Sequence, residues 1–357
     1  MDGQQASELE ALEHVLANAS AKPIMLSFTL MKSMTRNFSK VIGRGGFGVV
    51  YMVWISSKWK VAVKKLSLIQ ESSDELFSEE INCLLRVNHK NIVRFLGYCS
   101  DTQGEVVKIN GRYVLAEVRQ RLLCFEYVPN GNLHHYLKDK SHGDGWEIHY
   151  KIINGICQGL KYLHTERINH LDLKPQNILL DACMEPRITD FGVSRCFDEG
   201  ISRVFTRRAP GTPGYIAPEI IDRGEISFKS DIYGLGIIII KLLTGCHRFD
   251  YQNWHKSIHL DGPQVKTCIQ IAQTCIDVDQ HNRPNIGDII DKLNKIDNMV
   301  QQATQITQEP RNDPGSSIYQ VCLFEAAEII FNVCKLESFV EARIQSQPKH
   351  NLCNLIN

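Results

Sequence analysis

The sequence predicts an α+β molecule of two unequal lobes, a small antiparallel-sheet lobe with one main helix followed by a larger, mostly helical lobe. Three observations carry this. First, the chain has 357 residues, more than the ~150 of a typical single domain. Second, VVYMVW and KVAVKKL, between about 38 and 65, are rich in β-branched and aromatic residues and flank a polar SSK turn, the mark of paired strands. Third, apolar residues recur at helical spacing from 133 to about 300, so the two halves differ in type. An apolar fraction of 43% with 22% charged residues supports a large core and excludes a disordered chain.

Taken in order, residues 1–20 carry Leu9, Leu12, Val15 and Leu16 at three- and four-residue intervals, which predicts a short amphipathic helix within an accessory arm over 1–36. Strands follow from 38 to 65. The segment 73–87 has Leu76, Ile81, Leu84 and Leu85 at helical spacing with acids early, as a helix N-terminus prefers. NIVRFLGYCS, GRYVLAEV and RLLCFEYV read as further strands, giving a first lobe over 37–128. PNGN at 129–132 is a hinge candidate, and the helical lobe runs over 129–297, with a long irregular section from 190 to 218. Beyond it, 298–357 begins as a polar linker (QQATQITQEPRNDPGSS) and becomes amphipathic over about 321–344, a packed helical tail.

Composition narrows the function. Forty basic and forty acidic side chains give zero net charge, so no global field recruits nucleic acid, and any anion site is local. The 12 cysteines include no Cys-x-x-Cys pair, which suggests neither a zinc cluster nor a redox pair and predicts buried thiols in a reducing compartment. The N-terminus places acids where a signal peptide needs bases, and Asp2 stands where a myristoylation signal needs glycine. The longest apolar run, 232–243, is interrupted by Lys241 and falls short of the ~20 residues of a bilayer span. These features predict a cytoplasmic chain with no direct membrane span, recruited to the plasma membrane through a partner.

The chemistry-bearing residues begin with Gly43-Arg44-Gly45-Gly46-Phe47-Gly48-Val49-Val50. Glycines at this spacing let a backbone approach phosphates that a Cβ would block. Because a strand pattern follows rather than a helix, the loop reads as a hairpin lid and not as a dinucleotide fold. An ordinary glycine-rich turn is the plainer reading of these residues alone. Lys64, in Val61-Ala62-Val63-Lys64, places an ammonium among alternating apolar residues, where an acid must compensate it. Glu80, on the next helix, is the candidate.

The decisive stretch is His170-Leu171-Asp172-Leu173-Lys174-Pro175-Gln176-Asn177, followed by Asp190-Phe191-Gly192. One carboxylate can accept a proton from a hydroxyl nucleophile, while an amide oxygen and a second carboxylate bind magnesium. The lysine supplies positive charge beside a transferring phosphoryl group.

With these motifs the chain resembles a eukaryotic protein kinase, over roughly residues 37–297. The resemblance implies the bilobal kinase fold and a nucleotide site in which Ile42, Gly43, Arg44, Gly45, Gly46, Phe47, Gly48, Val50 and Ala62 surround ATP. It implies that Lys64 contacts the α/β-phosphates, that Glu80 orients it, and that Glu126 to Val128 reads adenine through the backbone, with Phe125 behind the pocket. Asp172 would be the base, Lys174 would neutralise the γ-phosphate, and Asn177 and Asp190 would hold Mg2+. Glu219, in Ala217-Pro218-Glu219, would brace the activation segment through Arg283, and Asp231 would bind the catalytic-loop backbone.

Lysine two residues after Asp172, with Gly211-Thr212-Pro213-Gly214-Tyr215, resembles the serine/threonine class, which implies protein substrates modified on Ser/Thr hydroxyls. NFSKVIGRGGFGVVY, HKNIVRFLGYC, YVPNGNL and LDLKPQNILLD resemble plant receptor-like kinases, those of grasses and the cysteine-rich group in particular, which implies a membrane receptor as a partner.

Two departures stand out. Leu171 occupies the place of an arginine that binds an activation-segment phosphate, and leucine has no donor for one. The stretch CHRFDYQNWHKSIHLDGPQVKT, over 246–267, is shorter than the family's substrate-docking region and reads as irregular. These departures motivate the alternative of a pseudokinase, an ATP-binding scaffold. The complete set Lys64, Asp172, Asn177 and Asp190 weighs against it.

Overall fold

The computed structural model describes residues 3–46, 48–67, 73–139, 145–245, 253–258 and 260–308. A six-stranded sheet in the order β1-β5-β8-β4-β3-β2 dominates the first lobe. Its strands are β1 (Ile24–Met25), β2 (Val41–Gly45), β3 (Gly48–Trp54), β4 (Lys60–Leu66), β5 (Phe95–Cys99) and β8 (Leu122–Glu126). A separate hairpin, β6 (Thr102–Ile109) with β7 (Arg112–Arg119), lies between β5 and β8 in the chain. The sheet is antiparallel as expected except at its edge, where β1 pairs with β5 in parallel.

Both faces of this sheet are covered, and strand alternation decides what each covers. Val61, Val63, Leu122 and Cys124 share a core with Leu12, Val15 and Leu16 of α1 (Gly3–Ala17) and with Leu30 and Met31 of α2 (Phe28–Met34). The N-terminal segment is therefore built into the sheet's core. Arg94 helps hold it by donating to the carbonyls of Val15 and Asn18, each at 2.5 Å, which satisfies groups that a helix C-terminus leaves open. Leu123 and Phe125, with Phe95, face the other way and pack with Phe77, Ile81 and Leu84 of α3 (Ser73–Leu84). Lys64 pairs with Leu123 in the ladder, so the same alternation delivers its side chain to the α3 face.

Strand β6 is a finding the sequence reading lacks. The two-residue connection Asn110-Gly111, with φ of 50° and 83°, is the left-handed pair that a tight hairpin demands and that glycine tolerates. The hairpin leaves Leu115 79% and Tyr113 74% exposed.

The second lobe packs α5 (Trp146–Thr165), α7 (Phe228–Thr244), α8 (Pro263–Cys275) and α9 (Ile286–Gln308) around one apolar core, with the shorter α4 (Leu133–Lys138) and α6 (Pro218–Arg223) beside them. Short strands β9 (Ile168–Asn169), β10 (Ile178–Leu180), β11 (Pro186–Ile188), β12 (Arg195–Cys196), β13 (Arg203–Phe205) and β14 (Glu225–Ser227) frame the loops between α5 and α7. Within the stretch read as irregular, α8 begins at Pro263, where a proline starts a helix without losing a hydrogen bond. A 3-10 turn at Trp254–Ser257 also buries Trp254. Residues 246–252 lie outside the described residues. Helix α9 continues to Gln308, through the start of the expected linker. The rest of that linker and the expected helix over 321–344 lie outside the described residues. Both lobes, with α9 as far as Asn298, belong to one compact unit, Met1–Asn298, and the last turns of α9 belong to a second, Met299–Asn357.

Candidate active site

The structure brings Lys64, Glu80 and Asp190 together at the junction of the lobes. Lys64 Nζ donates to Glu80 Oε1 and to Asp190 Oδ1, each at 2.8 Å. Burial alone would lower the Lys64 pKa, but the Asp190 and Glu80 carboxylates outweigh it and hold the ammonium above its ordinary range. Burial pushes the Glu80 carboxyl up, against the pull of Lys64. For Asp190 burial also pushes up, yet Lys64, with His170 and Lys174, brings the carboxyl below its usual range. The pocket therefore keeps an ammonium and an anionic carboxylate side by side. Asp190 sits in the left-handed region at φ 69°, the kind of backbone outlier that gathers at functional sites.

Helix α3, which carries Glu80, is tied down elsewhere. Asp74 in its first turn accepts from Arg119 Nη1 at 2.6 Å and from Arg121 Nε at 2.9 Å, a favourable place for an acid. Glu79 pairs with Arg195 of β12. Sequence reasoning missed both ties, because long ion pairs between distant segments leave no local pattern.

Below, on the loop after β9, Asp172 is buried and three donors converge on its carboxylate. Thr212 Oγ1 donates to Oδ1 at 2.7 Å, Lys174 Nζ to Oδ2 at 2.5 Å, and Asn177 Nδ2 to Oδ2 at 3.0 Å. Lys174 also donates to Thr212 Oγ1 at 2.6 Å. Asn177 spends its nitrogen on Asp172, at the backbone oxygen as well as the carboxylate, which leaves its amide oxygen as the atom for a cation. Asp231, at the start of α7, accepts from the His170 and Leu171 backbone N–H groups at 2.8 and 2.7 Å and so fixes the loop's path. Glu219 and Arg283 form a two-pronged pair at 2.8 and 2.7 Å.

The upper wall comes from the sheet. Val50 pairs with Gly43 on one side and with Lys64 on the other, and Ala62 pairs with Phe125. Gly48 is required by the fold itself, since a Cβ there would lie 2.2 Å from the Lys65 carbonyl oxygen. At Gly45 and Gly46 a Cβ would meet nothing within 4 Å, so these glycines keep open space beside the loop. Ile42 and Arg44 are exposed, and Phe47 lies outside the described residues. Glu126 anchors the crossing between lobes by accepting from the Arg94 N–H at 2.9 Å and Arg187 Nη1 at 3.1 Å, and Val128 is buried. Phe125 packs at a tilt against Phe95, with centroids 5.5 Å apart.

Leu171 is more than a lost arginine. It is buried with Phe197, Ala217, Ile220 and Ile226, and Val204 and Ile216 pack against the group. An apolar cluster thus joins the catalytic loop to the activation segment, and β13 pairs with β14 to hold that segment's middle.

An ammonium clamped between two acids, an open glycine loop and a buried carboxylate ringed by donors are the parts of a phosphotransfer cleft. The protein kinase domain family matches residues 36–309, and the chain belongs to the protein kinase family. Within it the chain is similar to plant receptor-like kinases. It is 34% identical to cysteine-rich receptor-like protein kinase 34 of Arabidopsis thaliana, over 80% of this chain and 45% of that protein. The identity is 38% to kinase 29 of the same group and species, over 64% and 32% of the two chains. It is 33% to kinase 10 of Oryza sativa subsp. japonica, over 73% and 43%. The chain spans less than half the length of each of these relatives. No helix among the described residues is long and apolar enough to cross a membrane.

Proposed function

We propose that this chain is an ATP-dependent serine/threonine kinase acting on protein substrates, with the site residues in the roles set out above. The observation that carries this reading is the Asp172 carboxylate, held by Lys174, Asn177 and Thr212, beside the clamp of Lys64 by Glu80 and Asp190. The donor set fits a divalent cation: Asn177 Oδ1 and the Asp190 carboxylate would hold Mg2+, which when bound offsets phosphate charge. Lys64 steadies the α- and β-phosphates, and the backbone at Glu126 to Val128 orients adenine. Asp172 receives the proton of the attacking hydroxyl as its oxygen bonds to the γ-phosphorus and the bond to ADP breaks, while Lys174 lies beside the transferred group. Positioning and electrostatics supply most of the rate. A scaffold has no use for this assembled set. The likeness to receptor-like kinases supports a cytoplasmic setting with a membrane receptor as partner.

Thr212 touches both Asp172 and Lys174, so it aligns the base. Thr212→Ala is expected to lower kcat about tenfold, the worth of one charge-assisted hydrogen bond, and Thr212→Ser to restore most of it. Steady-state kinetics on a peptide substrate checks this. The Leu171 cluster orders the activation segment by burial, without a phosphate. Ser202→Ala and Thr206→Ala are therefore expected to leave kcat within about twofold, the range of neutral surface changes. A large loss in either, with folding intact, contradicts the non-arginine reading of this loop.

The direct test is incubation of the full chain with magnesium, labelled ATP and a generic basic protein, followed by phosphoamino-acid analysis. Phosphoserine and phosphothreonine are expected. Phosphotyrosine alone, or nucleotide binding without transfer, overturns the proposal.

A further inference from the structure

Two thiols meet where no catalytic role calls for them. The sulfurs of Cys83, near the end of α3, and Cys196, at the end of β12, lie 2.7 Å apart although 113 residues separate them in the chain. Both are free thiols, and a disulfide needs the sulfurs only about 0.7 Å closer, at ~2.05 Å. Cys83 is 1% exposed, whereas Cys196 is half-buried. The surroundings divide the labour between them. The hydrogen bond between the two sulfurs, with Arg86 acting against burial, lowers the Cys196 thiol below its ordinary range, while the hydrogen bond and burial push Cys83 up. By contrast, burial pushes Cys124 and Cys275 up to about 12. The half-buried member of this pair is thus the more acidic of the two thiols.

We propose that Cys83 and Cys196 form a peroxide-responsive disulfide that fastens α3 to the strand following Asp190-Phe191-Gly192 and holds Glu80 against Lys64. The Cys196 sulfur attacks one oxygen of hydrogen peroxide and the O–O bond breaks, giving a sulfenic acid and hydroxide. The Cys83 sulfur then displaces that hydroxyl as the S–S bond forms. In sum, two thiols are oxidised and one peroxide is reduced to two waters. The pair spans the element that carries Glu80 and the base of the activation segment, already linked by Glu79 and Arg195, so the bond would lock a contact the fold has made. The value of that lock to catalysis rests on the kinase reading; the bond does not.

The test treats the full-length chain with hydrogen peroxide, blocks remaining thiols and maps a non-reducing tryptic digest by mass spectrometry. A joined species of peptides 66–86 and 196–203, two hydrogens lighter than their sum, is expected. It should be reversed by dithiothreitol, absent in Cys83→Ser and Cys196→Ser, and retained in Cys183→Ser. Closing so long a loop is expected to raise Tm by about 5 °C and to slow amide exchange in α3, in the parent protein only. Cys196 recovered alkylated, as sulfinic acid, or paired with another cysteine overturns the proposal, as does joining without slowed exchange in α3. Phosphotransfer measured in parallel bears on the kinase reading alone, so failure of one leaves the other readable.

Discussion

Asp172→Asn is expected to lower kcat for phosphoryl transfer by about a thousandfold, within the range a positioned general base supplies, while nucleotide affinity stays within about threefold of the parent, a difference under ~1 kcal/mol. The substitution keeps the size of the side chain and one oxygen that Thr212 or Lys174 can reach. It removes the charge that, in the proposed mechanism, draws the hydroxyl proton. Lys174 and Asn177, which now donate to Oδ2, face an amide instead of an anion, so the loss includes some disorder of the base's own supports. In the proposed reading the nucleotide is held mostly above this point, by the glycine loop, Lys64 and the crossing at Glu126 to Val128, so its affinity is expected not to depend on Asp172. Single-turnover phosphorylation and nucleotide titration on one preparation separate the two effects. Transfer at the parent rate shows that another group is the base; loss of binding and transfer together shows that Asp172 supports the fold of the cleft.

The parts of this site that the sequence exposed are those whose chemistry imposes order along the chain. Lys64 among alternating apolar residues, Glu80 on the following helix, and Asp172, Lys174, Asn177 and Asp190 at short spacing are each ambiguous alone, and they exclude chance only as a series. Supports made by contacts distant in sequence are silent by comparison. Arg121 on Asp74 and Arg195 on Glu79 hold α3, yet nothing local marks them as partners. The N-terminal helix is visible in its three- and four-residue spacing, but its place in the sheet's core comes from packing on Val61, Val63 and Leu122 and from Arg94 meeting the end of α1, contacts set by the fold. Strand β6 has a signal in the sequence, the Asn110-Gly111 turn. Leu171 illustrates a different limit: the letters show the donor that is missing, and only packing shows the cluster of Phe197, Ile220 and Ile226 that replaces it. Cysteine spacing fails similarly, since a search for near neighbours in sequence overlooks Cys83 and Cys196.

The largest expected effect on stability is at Arg283, whose guanidinium is wholly buried against Glu219, with side chains 0% and 1% exposed. Besides the two-pronged pair, Arg283 donates to the backbone oxygens of Asp277 at 2.8 Å and Lys229 at 3.0 Å, so one side chain closes several acceptors around the end of the activation segment. Arg283→Ala strands a carboxylate and those carbonyls away from water and is expected to cost about 3–5 kcal/mol, read as a lower urea midpoint. Much of that cost is the uncompensated charge rather than the net worth of the pair. The double change Arg283→Met with Glu219→Leu removes both charges at similar volume and is therefore expected to be milder than Arg283→Ala alone. Arg283→Lys keeps the charge but loses the fork and falls between the two. If the double variant proves less stable than Arg283→Ala, the pair contributes attraction beyond its own desolvation, and the brace is energetic as well as geometric. If Arg283→Ala costs less than about 1 kcal/mol, the value of an exposed pair, water reaches this site and the brace does not hold the segment.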